Sequence, residues 1–306
     1  MFGLLAPAAI ASPGLGIRSQ SLGEAYRAVA TDGEAALYNP GGLVRLRRFG
    51  VQGAYGASPA GPVHDAGVLL MDSGTNPFLA AALGYFFDVE PVPPRQNPFA
   101  HLVVLSLASP IVTRNVGFGL NVTYRNLPPF GEGEGELGDA DGGSPDDERQ
   151  EPLHKISLDT GILTQLGQRV SLAAAAYNLV PTRSARAPMS VGAGISATLL
   201  GTWDEASRQG VLDGLTLASD WLMEGLLEEE ITAHHFSLGV EYLLLSMVPL
   251  RAGYHATFAP QDKHRLALGS GFAWRGFGLD VVWAFLPYDI GDSLIGFALQ
   301  YGSAQA

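Results

Sequence analysis

In the stretch VGFGLNVTYRN, residues 116–126, the side chains alternate without a fault. Val116, Phe118, Leu120, Val122 and Tyr124 fall on one face of an extended chain, and Gly117, Gly119, Asn121, Thr123 and Arg125 on the other. The same period returns in HFSLGVEYLL (235–244), RLALGSGFAW (265–274) and IGFALQYG (295–302). One face is bulky and often ends in an aromatic. The other is mostly Gly, Ala and Ser with isolated charges. A soluble sandwich also alternates, but its outer face carries many Lys, Glu and Thr. Bulky apolar residues opposite small or polar ones fit a barrel turned inside out, with lipid outside and a lumen within.

Counting extends the argument. Fourteen segments read as strands: 48–58, 66–73, 78–87, 101–111, 116–126, 155–166, 169–180, 188–200, 214–223, 234–244, 249–258, 264–274, 277–287 and 292–302. The second and ninth carry the weakest pattern. An even count suits a bacterial barrel, with long external loops after odd strands and short periplasmic turns after even ones. The odd connections include 89–100, the 28-residue stretch 127–154 and EGLLEEEITA, whereas the even ones include TRN, LSMV and DSGTN. The exception is 201–213, GTWDEASRQGVLD, where either the count slips or a short helix covers the periplasmic mouth.

Composition closes several other routes. Cysteine is absent, so no disulfide or thiolate metal site forms, and a net charge of −12 with scattered Lys and Arg argues against a nucleic-acid partner. No run of 18 apolar residues offers a helical membrane span.

The first 46 residues do not alternate. Residues 1–11, MFGLLAPAAIA, have the apolar core and the A-x-A-like end (Ala9, Ala11) of a truncated signal peptide without its basic start. Residues 12–46 read as a plug and 47–306 as the barrel. In SLGEAYRAVATDGEAALYNPGGL, Ser21 is placed as the N-cap of a helix carrying Leu22, Ala25, Tyr26 and Val29 on one stripe. Asn39-Pro40 stops the helix, and Gly41-Gly42 allows positive φ. The segment sits in the lumen as a hatch or lies against the periplasmic rim.

The run GLGIRSQSLGEAYRAVATDGEAALYNPGGL resembles the N-terminal hatch of FadL-type outer-membrane channels for hydrophobic compounds and of their PorV-like relatives. That pattern is a Gly-rich start, an Ala-rich helix, an acidic residue and Asn-Pro-Ala-Gly-Leu. FSLGVEY, PLRAGYHATF, LALGSGF and FGLDVVWAF are similar to the PorV-like branch. Here Asn39-Pro40-Gly41 replaces Asn-Pro-Ala, and the chain is shorter than the fatty-acid transporters. The resemblance implies an all-β fold: a 14-stranded antiparallel transmembrane barrel in the Gram-negative outer membrane, with a short helical hatch in its lumen. It also implies passive uptake of hydrophobic, fatty-acid-like compounds past a hatch that shifts, with Leu37, Tyr38, Asn39, Pro40, Gly41 and Gly42 as the hatch and ligand site. Its partners would be outer-membrane lipid and a hydrophobic small molecule. A PorV-like platform that anchors exported proteins and transports nothing is the competing reading, and a soluble all-β protein is a third.

Charges expected on the lumen face are Arg125, Asp159, Asp220, Glu241, Arg251, Arg265 and Asp280. They form either a salt-bridge network that holds the hatch, with Arg18, Glu24, Arg27 and Asp32 as its partners, or a polar pathway. The run 127–154 holds nine Asp or Glu against one Arg and matches no EF-hand, which suits a solvated external loop. His234 and His235 are adjacent, so a strand sends them to opposite faces and they do not share a metal. No nucleophile elbow or phosphate loop is present, and the chain is read as a non-enzyme without cofactor.

Overall fold

A computed structural model describes residues 16–59, 64–89, 99–111, 113, 115–127, 153–180, 187–201, 214–226, 233–245, 247–258 and 262–304. The expected signal segment 1–11 lies outside the described residues, as does most of the acidic run. So does all of 201–213 except Gly201.

Fourteen strands form: β1 (Arg48–Ala57), β2 (His64–Asp72), β3 (Ala80–Val89), β4 (Phe99–Pro110), β5 (Val116–Leu127), β6 (Leu153–Leu166), β7 (Val170–Tyr177), β8 (Ser190–Leu200), β9 (Gly214–Glu224), β10 (Ala233–Leu244), β11 (Val248–Phe258), β12 (Lys263–Trp274), β13 (Phe277–Leu286) and β14 (Asp289–Ala304). Each pairs antiparallel with its sequence neighbours, and β1 pairs with β14 from Arg48↔Ala304 to Ala57↔Ile295, so the sheet closes without an edge. Closure satisfies the backbone groups internally, as hydrocarbon demands. Because β8 and β9 flank 201–213 in the expected order, the count does not slip there.

Strand faces follow the alternation. On β5, Phe118, Leu120 and Val122 are 40–50% exposed, while Asn121 and Thr123 are at most 3% exposed. The outside is a continuous apolar belt, with Leu83, Leu105, Leu158, Leu238, Leu268 and Leu299 exposed around the circumference. A soluble sandwich would bury this face, so the third reading fails. No described helix is long and apolar enough to cross a membrane, and the crossing is made by strands.

The mouths differ. At one, β6 and β7 are joined by 167–169, and β12 and β13 by Arg275-Gly276, both at positive φ, as in a two-residue hairpin turn. At the other, strands stop around the long connections 90–98 and 128–152. The first strand starts at the short-turn mouth and the last ends there.

Residues 16–46 fill the lumen. The expected single helix from Ser21 is corrected: the segment forms α1 (Ile17–Ser21), turns across 22–34, α2 (Ala35–Tyr38) and a 3-10 turn (Pro40–Val44). Ser21 ends α1, its hydroxyl donating to the Arg18 carbonyl at 2.7 Å. The chain turns at Gly23 (φ +61°) because there it passes the wall almost backbone to backbone. A Cβ on Gly23 would lie 2.5 Å from the Tyr254 nitrogen, and one on Gly253 would lie 2.0 Å from the Gly23 nitrogen. Tertiary contact overrides helix propensity.

Candidate functional site

Asn39 organises the end of the plug. Its backbone is extended (φ −159°, ψ 93°), which ends α2 before Pro40, and its Oδ1 accepts from the Gly41 N–H at 3.2 Å. Its Nδ2 donates to the Arg27 carbonyl within the plug (3.1 Å) and to the Ile162 carbonyl of β6 (3.0 Å). One buried amide thus caps a turn, ties two plug segments and pins both to the wall. Leu37 and Tyr38 are buried beside it, and the Tyr38 carbonyl accepts from the Tyr177 hydroxyl of β7.

The two glycines serve another purpose than expected. Neither has positive φ. A Cβ on Gly42 would lie 1.8 Å from the Ala30 carbonyl oxygen, and one on Gly41 would lie 2.6 Å from the Gly117 oxygen of β5. Across the interface, Cβ atoms on Gly117, Gly119 and Gly161 would strike Gly41, Pro40 and Asn39 at 2.1–2.4 Å. The small lumen face of β5 and β6 is a socket for the Asn39–Gly42 turn.

On the side of β9 to β13 the plug is held by charge. Asp220 Oδ2 accepts from the backbone N–H of Tyr26 (2.9 Å) and Arg27 (2.7 Å) and from Arg27 Nη1 (3.2 Å). Arg18 grips Glu241 with Nε (3.1 Å) and Nη2 (2.9 Å) and reaches Asp32 at 3.0 Å. Glu241 also accepts from Arg251 at 2.5 Å, and Arg251 continues to Asp280. Arg265, its side chain 47% exposed, meets Glu24 at 3.8 Å. Asp159 serves the wall instead, accepting from the Asn178 N–H at 2.8 Å, and Arg125 is buried further out on β5.

Sequence reasoning passed over Glu34, whose carboxylate accepts from the backbone N–H of Arg18 (3.1 Å) and Ser19 (3.0 Å) and from Gln52 Nε2 (2.9 Å). Glu34 lies in the plug, outside the membrane-crossing strands. Burial, with Asp32 alongside, pushes its carboxyl up to about 7. Asn121, which donates to the Ala36 carbonyl at 2.7 Å, was also missed. Its signal was a lone amide among glycines on a lumen face.

Against β2 to β4 the contact is apolar. Leu37, Tyr38 and Leu43 of the plug share one apolar cluster with Leu69, Met71, Phe86 and Val104 of the wall. This seam runs into a cavity of about 360 Å³ at the short-turn mouth, lined by Leu46, Leu69, Met71 and Phe277 on its apolar side and by Arg47 and Arg48 among its polar residues. A second cavity, about 190 Å³, lies along the charged side, with Arg18, Asp32, Glu241 and Arg251 in its wall. The wall beside the seam is continuous, since β3 pairs with β4 along its whole length and with β2 from Ala81 to Val89.

No family model matches the sequence, and no curated protein matches it. Solved structures do. The CymD monoaromatic hydrocarbon channel is 15% identical at TM-score 0.61, with 97% of this chain and 98% of that chain covered. The Ralstonia pickettii toluene transporter TbuX is 13% identical at TM-score 0.61, covering 96% and 99%. The P. putida toluene transporter TodX is 13% identical at TM-score 0.52, covering 94% and 97%. At these identities the likeness is one of fold, and along nearly its whole length the chain takes the barrel fold of these channels, as its FadL-type resemblance implies.

Proposed function

We propose that this protein is a passive channel of the Gram-negative outer membrane for small hydrophobic molecules, with the plug as its gate and the Leu37–Gly42 segment as the hinge of that gate. The observation that carries the reading is the asymmetry of the plug interface. Ion pairs and buried carboxylate contacts hold one side, so separating it breaks several charge-assisted hydrogen bonds at once, each worth about 1.5–3 kcal/mol. Against the strands β2–β4 the plug's contacts are mainly apolar, and a hydrophobic solute replaces such contacts as it enters. The easiest route therefore follows Phe86, Leu69 and Met71 to the cavity at the short-turn mouth.

That cavity has room for a solute of one-ring size. At about 360 Å³ it exceeds the cavities of about 150 Å³ known to hold benzene. Together with the monoaromatic hydrocarbon and toluene named for the neighbours in fold, this favours compounds of one aromatic ring over fatty-acid-like chains.

The test is uptake of labelled toluene and of a labelled long-chain fatty acid by cells carrying the protein. Val104→Glu, which sets a carboxylate among the apolar side chains of the seam, should cut toluene uptake by about tenfold, the rate equivalent of the roughly 1–3 kcal/mol cost of an unsatisfied buried group. Barrel yield should be unchanged. Uptake of the fatty acid alone would transfer the assignment to that class. Uptake of neither, with the barrel assembled, would overturn the channel reading in favour of a surface platform for exported proteins.

A further inference from the structure

Five of the seven histidines stand on the lipid-facing side of the wall at the long-loop end, all in one register position. Tyr55 pairs across its hairpin with Ala66, Tyr85 with Val103, Tyr124 with Ile156, Trp221 with Phe236, and Tyr254 with Leu266. In each hairpin a histidine sits two residues before that partner, one step nearer the loop: His64, His101, His154, His234 and His264. The tyrosine hydroxyl meets the ring Nδ1 at 2.7 Å for His64 and His264, 2.9 Å for His101 and 3.5 Å for His154. Trp221 stacks on His234 with centroids 6.0 Å apart. The remaining two, His235 and His255, face each other inside the lumen at 5.4 Å between rings.

This repetition has a chemical consequence. A phenol is a better donor than acceptor, and the bare nitrogen of a neutral imidazole is a strong acceptor, so the tyrosine donates to Nδ1 and the ring proton is held on Nε2. The four tyrosine-paired histidines of the collar thus present N–H donors outward from exposed or half-buried rings. Towards the bilayer centre the same strand faces continue as Val68, Leu105, Leu158, Leu238 and Leu268, all exposed. Lipid chains covering those residues carry their headgroups at the level of the histidines. Successive collar histidines on β2, β4 and β6 are two strands apart, about 10 Å, too far to share a metal ion.

We propose that the collar binds the phosphate of lipid headgroups in the outer leaflet through the histidine Nε2–H groups. A lipid is favoured over a dissolved anion because apolar contact with the exposed belt supplies most of the binding, and only a molecule with acyl chains makes it. The donors choose the headgroup and fix the depth at which the barrel rides.

The experiment uses the full chain in detergent micelles, with bound lipid counted by native mass spectrometry. The probes are phosphatidic acid, chain-matched diacylglycerol and inorganic phosphate. Phosphatidic acid should bind about tenfold more tightly than diacylglycerol, as expected for hydrogen bonds to a charged acceptor. Replacing all five collar histidines by Leu should erase that difference. If that variant does not assemble, His64→Leu with His264→Leu should remove part of it, and Tyr55→Phe with Tyr254→Phe, which frees the tautomer, should weaken it without touching a histidine. Equal binding of the two lipids, or unchanged preference in the variants, overturns the proposal. Displacement of phosphatidic acid by inorganic phosphate at comparable concentration makes this a free-anion site and overturns the lipid assignment.

Discussion

Gly42 illustrates why single residues in this plug are read correctly only once their neighbours are known. The residue looks like a turn glycine, yet its φ is ordinary and its constraint is the Ala30 carbonyl, 1.8 Å from where a Cβ would stand. Even alanine is therefore too large. Gly42→Ala should displace the 3-10 turn from its socket at the roughly 1–3 kcal/mol typical of overpacking. The barrel wall makes none of its strand pairs through this residue. Heat-modifiable migration should stay normal while proteolysis within the plug speeds up by about tenfold for each 1.4 kcal/mol of lost docking energy. Gly53 is the control, since a Cβ there meets nothing within 4 Å, and Gly53→Ala should change neither readout. Faster plug cleavage in both variants would show that the socket is not what holds the plug.

The strands were legible in the sequence because burial on one face and lipid on the other impose a period of two that nothing else disturbs. All fourteen form, with ends displaced by a few residues: β5 runs on to Leu127 and β6 begins at Leu153, inside the run assigned to the acidic loop. The plug was less legible. Leu22, Ala25 and Tyr26 keep the spacing of a helix and are all buried, but they lie in turns, because an element enclosed on all sides buries residues whatever its period. Hydrophobic spacing reports a single buried face, and the plug has none. Its fixed points are polar instead. Asn39, Arg27 and Asp220 cross from plug to wall, and sequence separation alone does not pair them. The strand faces carry their own test. Leu120→Arg sets a cation on the lipid face at a cost of roughly 2–4 kcal/mol near the mid-plane. Folding yield into vesicles should fall accordingly, while Thr160→Ser, removing a methyl from a half-buried site, should leave it near the parent value. An unchanged yield for Leu120→Arg would mean that this face does not meet hydrocarbon.

At the scale of the whole molecule, wall and plug are separable in their bonding. The wall closes through strand pairs alone, from β1 through β14 and back, whereas the plug is attached by side chains and apolar contact. Orientation follows from the unequal mouths. A tag at Gly138, which lies outside the described residues, should be accessible on intact cells, and one in the tight turn at Gly167 should not; labelling of Gly167 alone would invert the barrel. Removing residues 21–43 tests the division of labour more severely. Deletion empties the socket along β5 and β6 and leaves Asp220, Glu241 and Arg251 facing the lumen, where entering water solvates them. It also wets Leu69, Met71, Phe86 and Val104, so the barrel should lose stability. Closure by strand pairing should nevertheless survive, giving an assembled, heat-modifiable protein with raised single-channel conductance in planar bilayers. An assembled barrel whose conductance and toluene uptake both match the intact protein would remove the plug from any gating role. Loss of assembly would mean that the lumen needs its filling, and that the Asn39–Gly42 turn acts as a folding element.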